Sequence, residues 1–151
     1  MSYQNFKNCE PPITNDDLNA AEVEMGVILP SDLREHYLKY NGGSPVHRSF
    51  RVDDYYYVLR DFFPVKYGIL DDPTDTLEGT YDLVKDAIPE GLLPFADDGA
   101  GNLFCYGTSK ENMHSIWYWD HEENDDPDLQ LEFLAPSLQS FLEGLVEDPD
   151  S

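Results

Sequence analysis

Three polar side chains, Asp97, Asp98 and Asn102, have the types and spacing in this chain that most resemble a ligand site. They lie within 94–105, where an apolar segment runs into Asp-Asp-Gly-Ala-Gly-Asn and another apolar segment follows at once. Gly, Asn and Asp tolerate positive φ angles and bond to nearby backbone, so this stretch predicts a tight hairpin turn. Its carboxylates and amide could also bind a cation, a nucleotide or another protein.

The spacing of these residues argues against a calcium or phosphate site. An EF-hand loop counted from Asp97 needs ligands at positions 3 and 5 and Glu at position 12. Gly99, Gly101 and Thr108 stand there instead. A phosphate loop needs a Lys-Ser/Thr pair that is absent, and two aspartates would repel a phosphate. We therefore expect a turn that mainly defines the fold, with both glycines allowing the backbone path and Asn102 bonding across it.

Histidines and cysteines offer no clear catalytic or metal-ligating pattern. The four histidines show no paired ligand spacing, and a metal site would require His114 and His121 to converge with Asp120. Cys105 lies in an apolar strand, where a thiol is expected to be inert, and with Cys9 it suggests two free thiols in a reducing compartment. We expect no metal and no cofactor. A hydrolase using Asp97 or Asp98 with one of these two histidines remains a minority hypothesis.

Charge is distributed unevenly along the chain. The sequence has 31 acidic and 9 basic residues, a net charge of −22. Residues 1–70 hold 10 acidic and 7 basic side chains, whereas 71–151 hold 21 acidic side chains and 2 lysines, a net −19. Such a field repels nucleic acid and anionic membranes and attracts basic proteins. With no apolar segment long enough to span a membrane, the chain is expected to be cytoplasmic.

The first half of the chain predicts two helices followed by strands. Thr14 and Asp17 form a capping-box pattern for a helix over 14–25 that Gly26 stops. A second helix follows Pro30 and ends at 41–43, so that the two helices form a hairpin. Strands are expected at 50–52 and 55–60 around a turn at 53–54, then a loop over 68–80 and a short helix at about 76–86.

The second half predicts a hairpin, two further strands and a closing helix. The strands are expected at 92–96, 102–107, 115–120 and 129–134. Ser137 is expected to cap a helix with an apolar stripe made by Leu138, Phe141, Leu142 and Leu145. The chain thus predicts a single α+β domain with a twisted, mostly antiparallel sheet, packed against an N-terminal helix pair and a C-terminal helix.

Partner-binding residues are expected on and near the most acidic segment. Trp117 and Trp119 project from one face of their strand and form either a core layer or an aromatic anchor for a partner. The tyrosines at 55–57 are further possible anchors. The expected binding carboxylates are Asp97, Asp98, Asp120, Glu122, Glu123, Asp125 and Asp126.

Three stretches together resemble the SUKH superfamily of Smi/Knr-like domains. They are Gly-Val-Ile-Leu-Pro-Ser-Asp-Leu-Arg-Glu-His-Tyr-Leu-Lys-Tyr-Asn-Gly-Gly at 26–43, Leu-Pro-Phe-Ala-Asp-Asp-Gly-Ala-Gly-Asn-Leu-Phe-Cys-Tyr at 93–106, and Ile-Trp-Tyr-Trp-Asp-His-Glu at 116–122. The resemblance covers about 14–146, and no motif is recognised in 48–92. The matching motif residues, which look largely architectural, are Leu29, Pro30, Asn41, Gly42, Gly43, Asp98, Gly99, Gly101, Asn102 and Trp119.

The resemblance implies a non-enzymatic protein that acts through protein contacts. Bacterial members of the superfamily look mainly like immunity proteins that neutralise a cognate polymorphic toxin, often a nuclease, and fungal relatives act in cell-wall regulation. Joined to the charge, this gives the leading hypothesis: an immunity protein, expected to be a monomer, that occludes a basic toxin domain with an acidic surface. The alternative is a regulatory or scaffolding module that binds a cellular protein.

Overall fold

The fold is a mixed α+β arrangement of antiparallel sheets and short helices. The computed structural model describes residues 6–67, 76–121 and 131–147, and these ranges contain four helices and ten strands. In chain order the elements are β1 (Phe6–Lys7), α1 (Asn15–Met25), α2 (Ser31–Lys39), β2 (Ser44–Pro45), β3 (Ser49–Val52), β4 (Tyr55–Val58), β5 (Asp61–Phe62), α3 (Leu77–Val84), β6 (Leu92–Asp97), β7 (Leu103–Gly107), β8 (Ile116–Trp119), β9 (Leu131–Ala135), α4 (Leu138–Glu143) and β10 (Leu145–Val146). The α+β fold class predicted from the sequence is confirmed.

Helix α1 begins and ends where its local sequence predicts. The Thr14 side chain accepts a hydrogen bond from the Asp17 backbone N–H, and the Asp17 carboxylate accepts one from the Thr14 N–H, which completes a capping box. Gly26 ends the helix in the left-handed conformation, with φ of 72°. The buried face of α1 consists of Leu18, Ala21 and Met25.

The strands form three antiparallel sheets rather than the one sheet expected from the sequence. The largest has five strands in the order β5-β6-β7-β8-β9. Strands β6 and β7 form the predicted hairpin, and β8 and β9 extend it. A three-stranded sheet has the order β10-β3-β4, and β1 pairs with β2. Leu145 was expected on the closing helix, but it lies in β10 opposite Phe50, because α4 already ends at Glu143.

Aromatic side chains join the three-stranded sheet and α4 to the large sheet. The Phe141 ring of α4 lies 5.0 Å from that of Phe50 in β3 and 5.7 Å from that of Phe104 in β7, between ring centroids. Phe95 of β6 contacts Phe141 from the edge. Phe95, Phe104 and Phe141 are each fully buried. Burial of aromatic side chains on this scale stabilises a core strongly, which explains how so acidic a chain folds.

Asn41 holds the end of α2 against a distant segment of the chain. Its side-chain nitrogen donates to the carbonyl oxygens of Pro11 and Val65, and its side-chain oxygen accepts from the Val65 N–H at 2.7 Å. The Tyr37 hydroxyl of the same helix donates to the Phe63 carbonyl at 2.8 Å. The helix was expected to end in a left-handed cap at 41–43, but Tyr40 caps it in an extended conformation.

Gly42 and Gly43 follow Asn41 with φ of 78° and 83° and serve close backbone approaches instead. A Cβ atom on Gly43 would lie 2.7 Å from the Lys7 carbonyl oxygen, and one on Gly42 would lie 2.8 Å from Pro64. The Asn-Gly-Gly motif therefore fixes where β1 and the 63–65 segment run beside α2. Within the described residues no helix is long and apolar enough to cross a membrane.

His36 of α2 is buried in an aromatic cluster, which predicts a pH dependence of stability. Its ring lies 4.8 Å from Phe62 and 4.9 Å from Phe6, between centroids. Burial, with a smaller contribution from nearby Lys39, lowers the pKa of His36 from 6.5 to about 3. Between these two values the unfolded chain binds a proton that the folded chain does not, so stability is lost as pH falls.

We expect the free energy of unfolding to fall by about 2 kcal/mol between about pH 7 and about pH 5 through His36 alone. Urea unfolding followed by tryptophan fluorescence measures it. His36→Phe should remove most of this loss, whereas His47→Phe, at an exposed position, should keep it. An unchanged loss in His36→Phe would contradict this assignment.

Candidate functional site

The turn between β6 and β7 is held together by the Asp98 carboxylate. One carboxylate oxygen accepts from the backbone N–H groups of Ala100 and Asn102, and the other accepts from the Asn102 side chain at 2.9 Å and the Tyr118 hydroxyl at 2.8 Å. The Asn102 side-chain oxygen accepts from the backbone N–H of His121 at 3.1 Å. Asn102 thus bonds across the turn, as predicted, and also ties the turn to the end of β8.

Each glycine of this turn lies in the left-handed region that such a path requires. Gly99 has φ of 85° and Gly101 has φ of 95°. A Cβ atom on Gly101 would lie 3.0 Å from the His121 ring, whereas one on Gly99 would meet only the flexible Arg60 side chain. Both glycines thus lie where the turn needs a positive φ, and Gly101 is the more tightly enclosed of the two.

Asp97 and Asp98 differ in their electrostatic surroundings. Burial raises the pKa of Asp97, and this outweighs the Arg60 guanidinium, which lies 2.6 Å from its carboxylate. Burial also acts on Asp98, but the bonds that Asn102, Ala100 and Tyr118 donate hold its pKa below the usual range. Asp98 is therefore kept as an anion at neutral pH by donors from the protein itself.

A row of three tyrosines connects this turn to the three-stranded sheet. Tyr55 and Tyr57 of β4 lie 4.6 Å apart, and Tyr57 lies 4.6 Å from Tyr118 of β8, between ring centroids. Beneath them Tyr118 contacts the buried Phe104 at 5.3 Å. Tyr55 is 60% exposed, and Tyr57 and Tyr118 are half-buried. The row runs from solvent into the core, which fixes the position of its outer rings.

Carboxylates surround this row of tyrosines. The pKa of Tyr57 is raised to about 12, mainly by burial. Smaller contributions come from the charges of Glu132, Tyr55 and Asp120. Asp98 and Asp120 act in the same direction on the pKa of Tyr118, after burial. We define the acidic tyrosine face as Tyr55, Tyr57, Asp98, Tyr118, Asp120 and Glu132. Its rings and carboxylates together suit lysine or arginine side chains, which bind to both groups.

The sequence predicted part of this face and missed part of it. Asp98, Asp120 and the tyrosines at 55–57 were expected to contribute to binding. The structure brings Asp98, Asp120, Tyr55 and Tyr57 together, whereas Tyr56 is not part of this face. Tyr118 and Glu132 were missed. Tyr118 could have been found, because period-two alternation places it on the strand face opposite Trp117 and Trp119. Glu132 is a single acidic residue in an apolar strand, which is no signal by itself.

The two tryptophans have different surroundings. Trp119 is 6% exposed and belongs to the core, opposite Leu103 of β7. Trp117 is half-buried, its indole N–H donates to the Ser115 hydroxyl at 2.7 Å, and its ring meets the exposed Phe133 of β9 from the edge at 5.3 Å. Core packing thus describes Trp119, whereas Trp117, on the interior strand β8, packs against the core and is only partly buried. Partner binding by either tryptophan stays a prediction.

Four of the expected binding carboxylates, Glu122, Glu123, Asp125 and Asp126, lie outside the described residues. The hydrolase hypothesis paired Asp97 or Asp98 with His114 or His121. His114 instead contacts the Tyr106 hydroxyl and His121 the Asn102 side chain, at opposite ends of β8. The two histidines therefore do not converge in the way that the metal site considered from the sequence would require. Within 6–67, 76–121 and 131–147, no cluster of three or more His, Cys, Asp or Glu side chains could hold a metal ion.

Comparison with known proteins gives one family and one relative. A model of the SMI1 / KNR4 family (SUKH-1) matches residues 12–144. A protein of Bacillus subtilis (strain 168), described as an SPbeta prophage-derived uncharacterized protein YokK, is 29% identical over 152 residues. That alignment covers 90% of this chain and 76% of the relative. The family match includes α1, α2 and the turn at 97–102.

Asn102→Ala tests the turn network. The substitution removes the donor to Asp98 and the acceptor for the His121 N–H, so we expect unfolding to require about 2–3 kcal/mol less free energy. Chemical denaturation measures it. Asn19→Ala is the matched control, because Asn19 is exposed and bonds only to the Arg34 side chain among the described contacts. It should cost less than about 0.5 kcal/mol, and equal losses in the two variants would argue against the network.

Proposed function

The chain belongs to the SMI1 / KNR4 family (SUKH-1), and on this basis we propose that it is an immunity protein that binds and neutralises a cognate toxin domain. The observation that carries the proposal is the acidic tyrosine face, together with a net charge of −19 in residues 71–151. The relative from Bacillus is named as prophage-derived, and its name states no activity. The nature of the partner therefore has to be inferred from the surface itself.

The acidic tyrosine face has the features of a binding surface for a basic protein. Its outer rings are fixed by the row that ends on Phe104, so little side-chain entropy is lost when a partner docks. Asp120 and Glu132 add negative charge beside the rings, and tyrosine is enriched among the residues that dominate binding energy. A toxin that cleaves nucleic acid must carry cations around its active site, and such cations would be attracted here.

Neutralisation in this mechanism is occlusion and requires no chemical step. The carboxylates occupy the positions that substrate phosphates would take, and the body of the domain blocks access. The expected binding set also includes Asp97, Trp117, Trp119 and the acidic residues 122–126. We propose that the acidic residues within 122–126 act together with Asp120, which lies two residues before Glu122 in the chain.

Co-expression with the product of the adjacent open reading frame, scored as rescue of growth, tests the proposal. The wild-type chain should restore growth, and the purified pair should bind more weakly as salt is raised. We expect the Asp120→Lys/Glu132→Lys double variant to bind at least about tenfold more weakly and to lose its rescue. The matched control is Glu24→Lys/Glu35→Lys, which changes the net charge equally at exposed positions on α1 and α2.

If both double variants weaken toxin binding equally, the loss is explained by net charge alone, and this result would contradict a specific role for the acidic tyrosine face. Binding that is indifferent to salt would contradict occlusion by carboxylates that take the positions of substrate phosphates. A neighbouring gene without a toxin-like product, together with capture of a cellular protein through this same face, would favour the regulatory module instead. Folding of each variant is checked by tryptophan fluorescence before binding is scored.

A further inference from the structure

An open cleft lies at the end of the large sheet opposite to the acidic tyrosine face. Its volume is about 960 Å³, and it is lined by the α1–α2 link, by Tyr81 of α3, and by the loops that precede β6 and β8. The β7–β8 loop supplies its far wall, whereas Asp98 and Asp120 belong to the opposite ends of the same strands. The cleft shares no residue with the acidic tyrosine face.

Two large apolar side chains that line this cleft are exposed. Ile28 is 82% exposed and Met113 is 43% exposed, and both line the cleft, where Tyr81 is half-buried beside them. Single exposed apolar residues are common on proteins, but two of them facing one concave space of this size are typical of a binding site. Val23 is equally exposed on α1 but does not line the cleft.

The rim of the cleft carries negative charge that forms no ion pair among the described residues. Glu90 and Glu111 both line it and are exposed, and neither takes part in any of the ion pairs formed among 6–67, 76–121 and 131–147. The lining residues include no lysine or arginine. A partner with an apolar group beside cationic groups would therefore bind through apolar contact with the cleft and through attraction to its negative rim.

One wall of the cleft is held in place before anything binds. His114 has φ of 74°, a left-handed conformation, and its backbone N–H donates to the Gly107 carbonyl at 3.0 Å. Its Nδ1 atom lies 2.7 Å from the hydroxyl of Tyr106, which also donates to Asp32 of α2. These contacts join the β7–β8 loop to the start of α2, so the two sides of the cleft keep their separation.

We propose that this cleft is a second binding site, which takes a partner segment with a bulky apolar side chain flanked by lysine or arginine. A second copy of this chain is a poor occupant, since it brings a net charge of −22 of its own. The site extends the proposed function, because a partner that reaches both ends of the sheet would be held at two places. Its binding chemistry does not depend on the identity of that partner.

Titration of the full-length, isotope-labelled chain with synthetic peptides, followed by NMR, tests the site. The probe is an eight-residue peptide that alternates Leu and Lys. We expect saturable shifts of the Ile28 and Met113 methyl signals. A Ser/Lys peptide of the same charge and a Leu/Glu peptide of the same apolar content should both leave those methyl signals unshifted.

Substitutions then separate the cleft from general attraction of a cationic peptide. Met113→Ser should weaken binding of the Leu/Lys peptide about tenfold, through the lost apolar contact. Val23→Ser should leave the affinity within about twofold, because Val23 lies outside the cleft. Glu90→Gln/Glu111→Gln should weaken binding and reduce its dependence on salt. Met113 and both glutamates are exposed, so these variants are expected to fold.

The outcomes distinguish this site from the acidic tyrosine face. Unchanged affinity in Met113→Ser, or peptide-induced shifts confined to Tyr55 and Tyr57, would overturn the cleft as a binding site. Loss of the cleft shifts in Asp120→Lys/Glu132→Lys would also overturn it, since the two sites are then one. Retained cleft binding in that variant, with loss of toxin rescue, would support two separate sites.

Discussion

The buried side-chain amide of Asn41 is the interaction on which the arrangement of the helices depends. It joins the end of α2 to the backbone of Val65 in both directions and to the carbonyl of Pro11. Pro64, the neighbour of Val65, accepts the bond from Leu77 at the start of α3. A buried amide without these partners would cost several kcal/mol, so the alternatives in which α2 and the 63–65 segment separate are strongly disfavoured. The side chain of Asn41 thereby positions the end of α2, the 63–65 segment that leads to α3, and the segment at Pro11 that precedes α1.

A second constraint is the placement of negative charge outside a large aromatic core. Asp98 is the instructive exception, because it is partly buried and yet stays ionised through four donated hydrogen bonds. One of those bonds holds the Tyr118 hydroxyl, and Tyr57 packs on the Tyr118 ring. The turn that resembled a ligand site is thus occupied by its own side chains, and its part in the proposed binding is to orient Tyr118.

Local sequence predicted the parts of this fold that local contacts determine. The capping box of Thr14 and Asp17, the left-handed Gly26 and the β6–β7 hairpin all depend on residues close together in the chain. The contact between Tyr57 and Tyr118 depends on how two sheets pack, and no spacing along the chain encodes it. Leu145 continued the helical period of α4, but pairing with Phe50 in β10 prevailed over that period. The cleft escaped prediction for the same reason, since its walls come from four separate segments.

The row of tyrosines has a consequence for the time at which the chain acquires its acidic tyrosine face. Tyr55 and Tyr57 precede Tyr118 and Glu132 by about sixty residues or more in the printed sequence. Contacts between residues this far apart in the sequence require the closure of a long loop, which costs conformational entropy. We therefore expect them to form late in folding. A chain still emerging from the ribosome has the tyrosines of β4 without the strand that supports them. The acidic tyrosine face is therefore a property of the completed fold, and the binding proposed for it would begin only when β8 and β9 have joined the sheet.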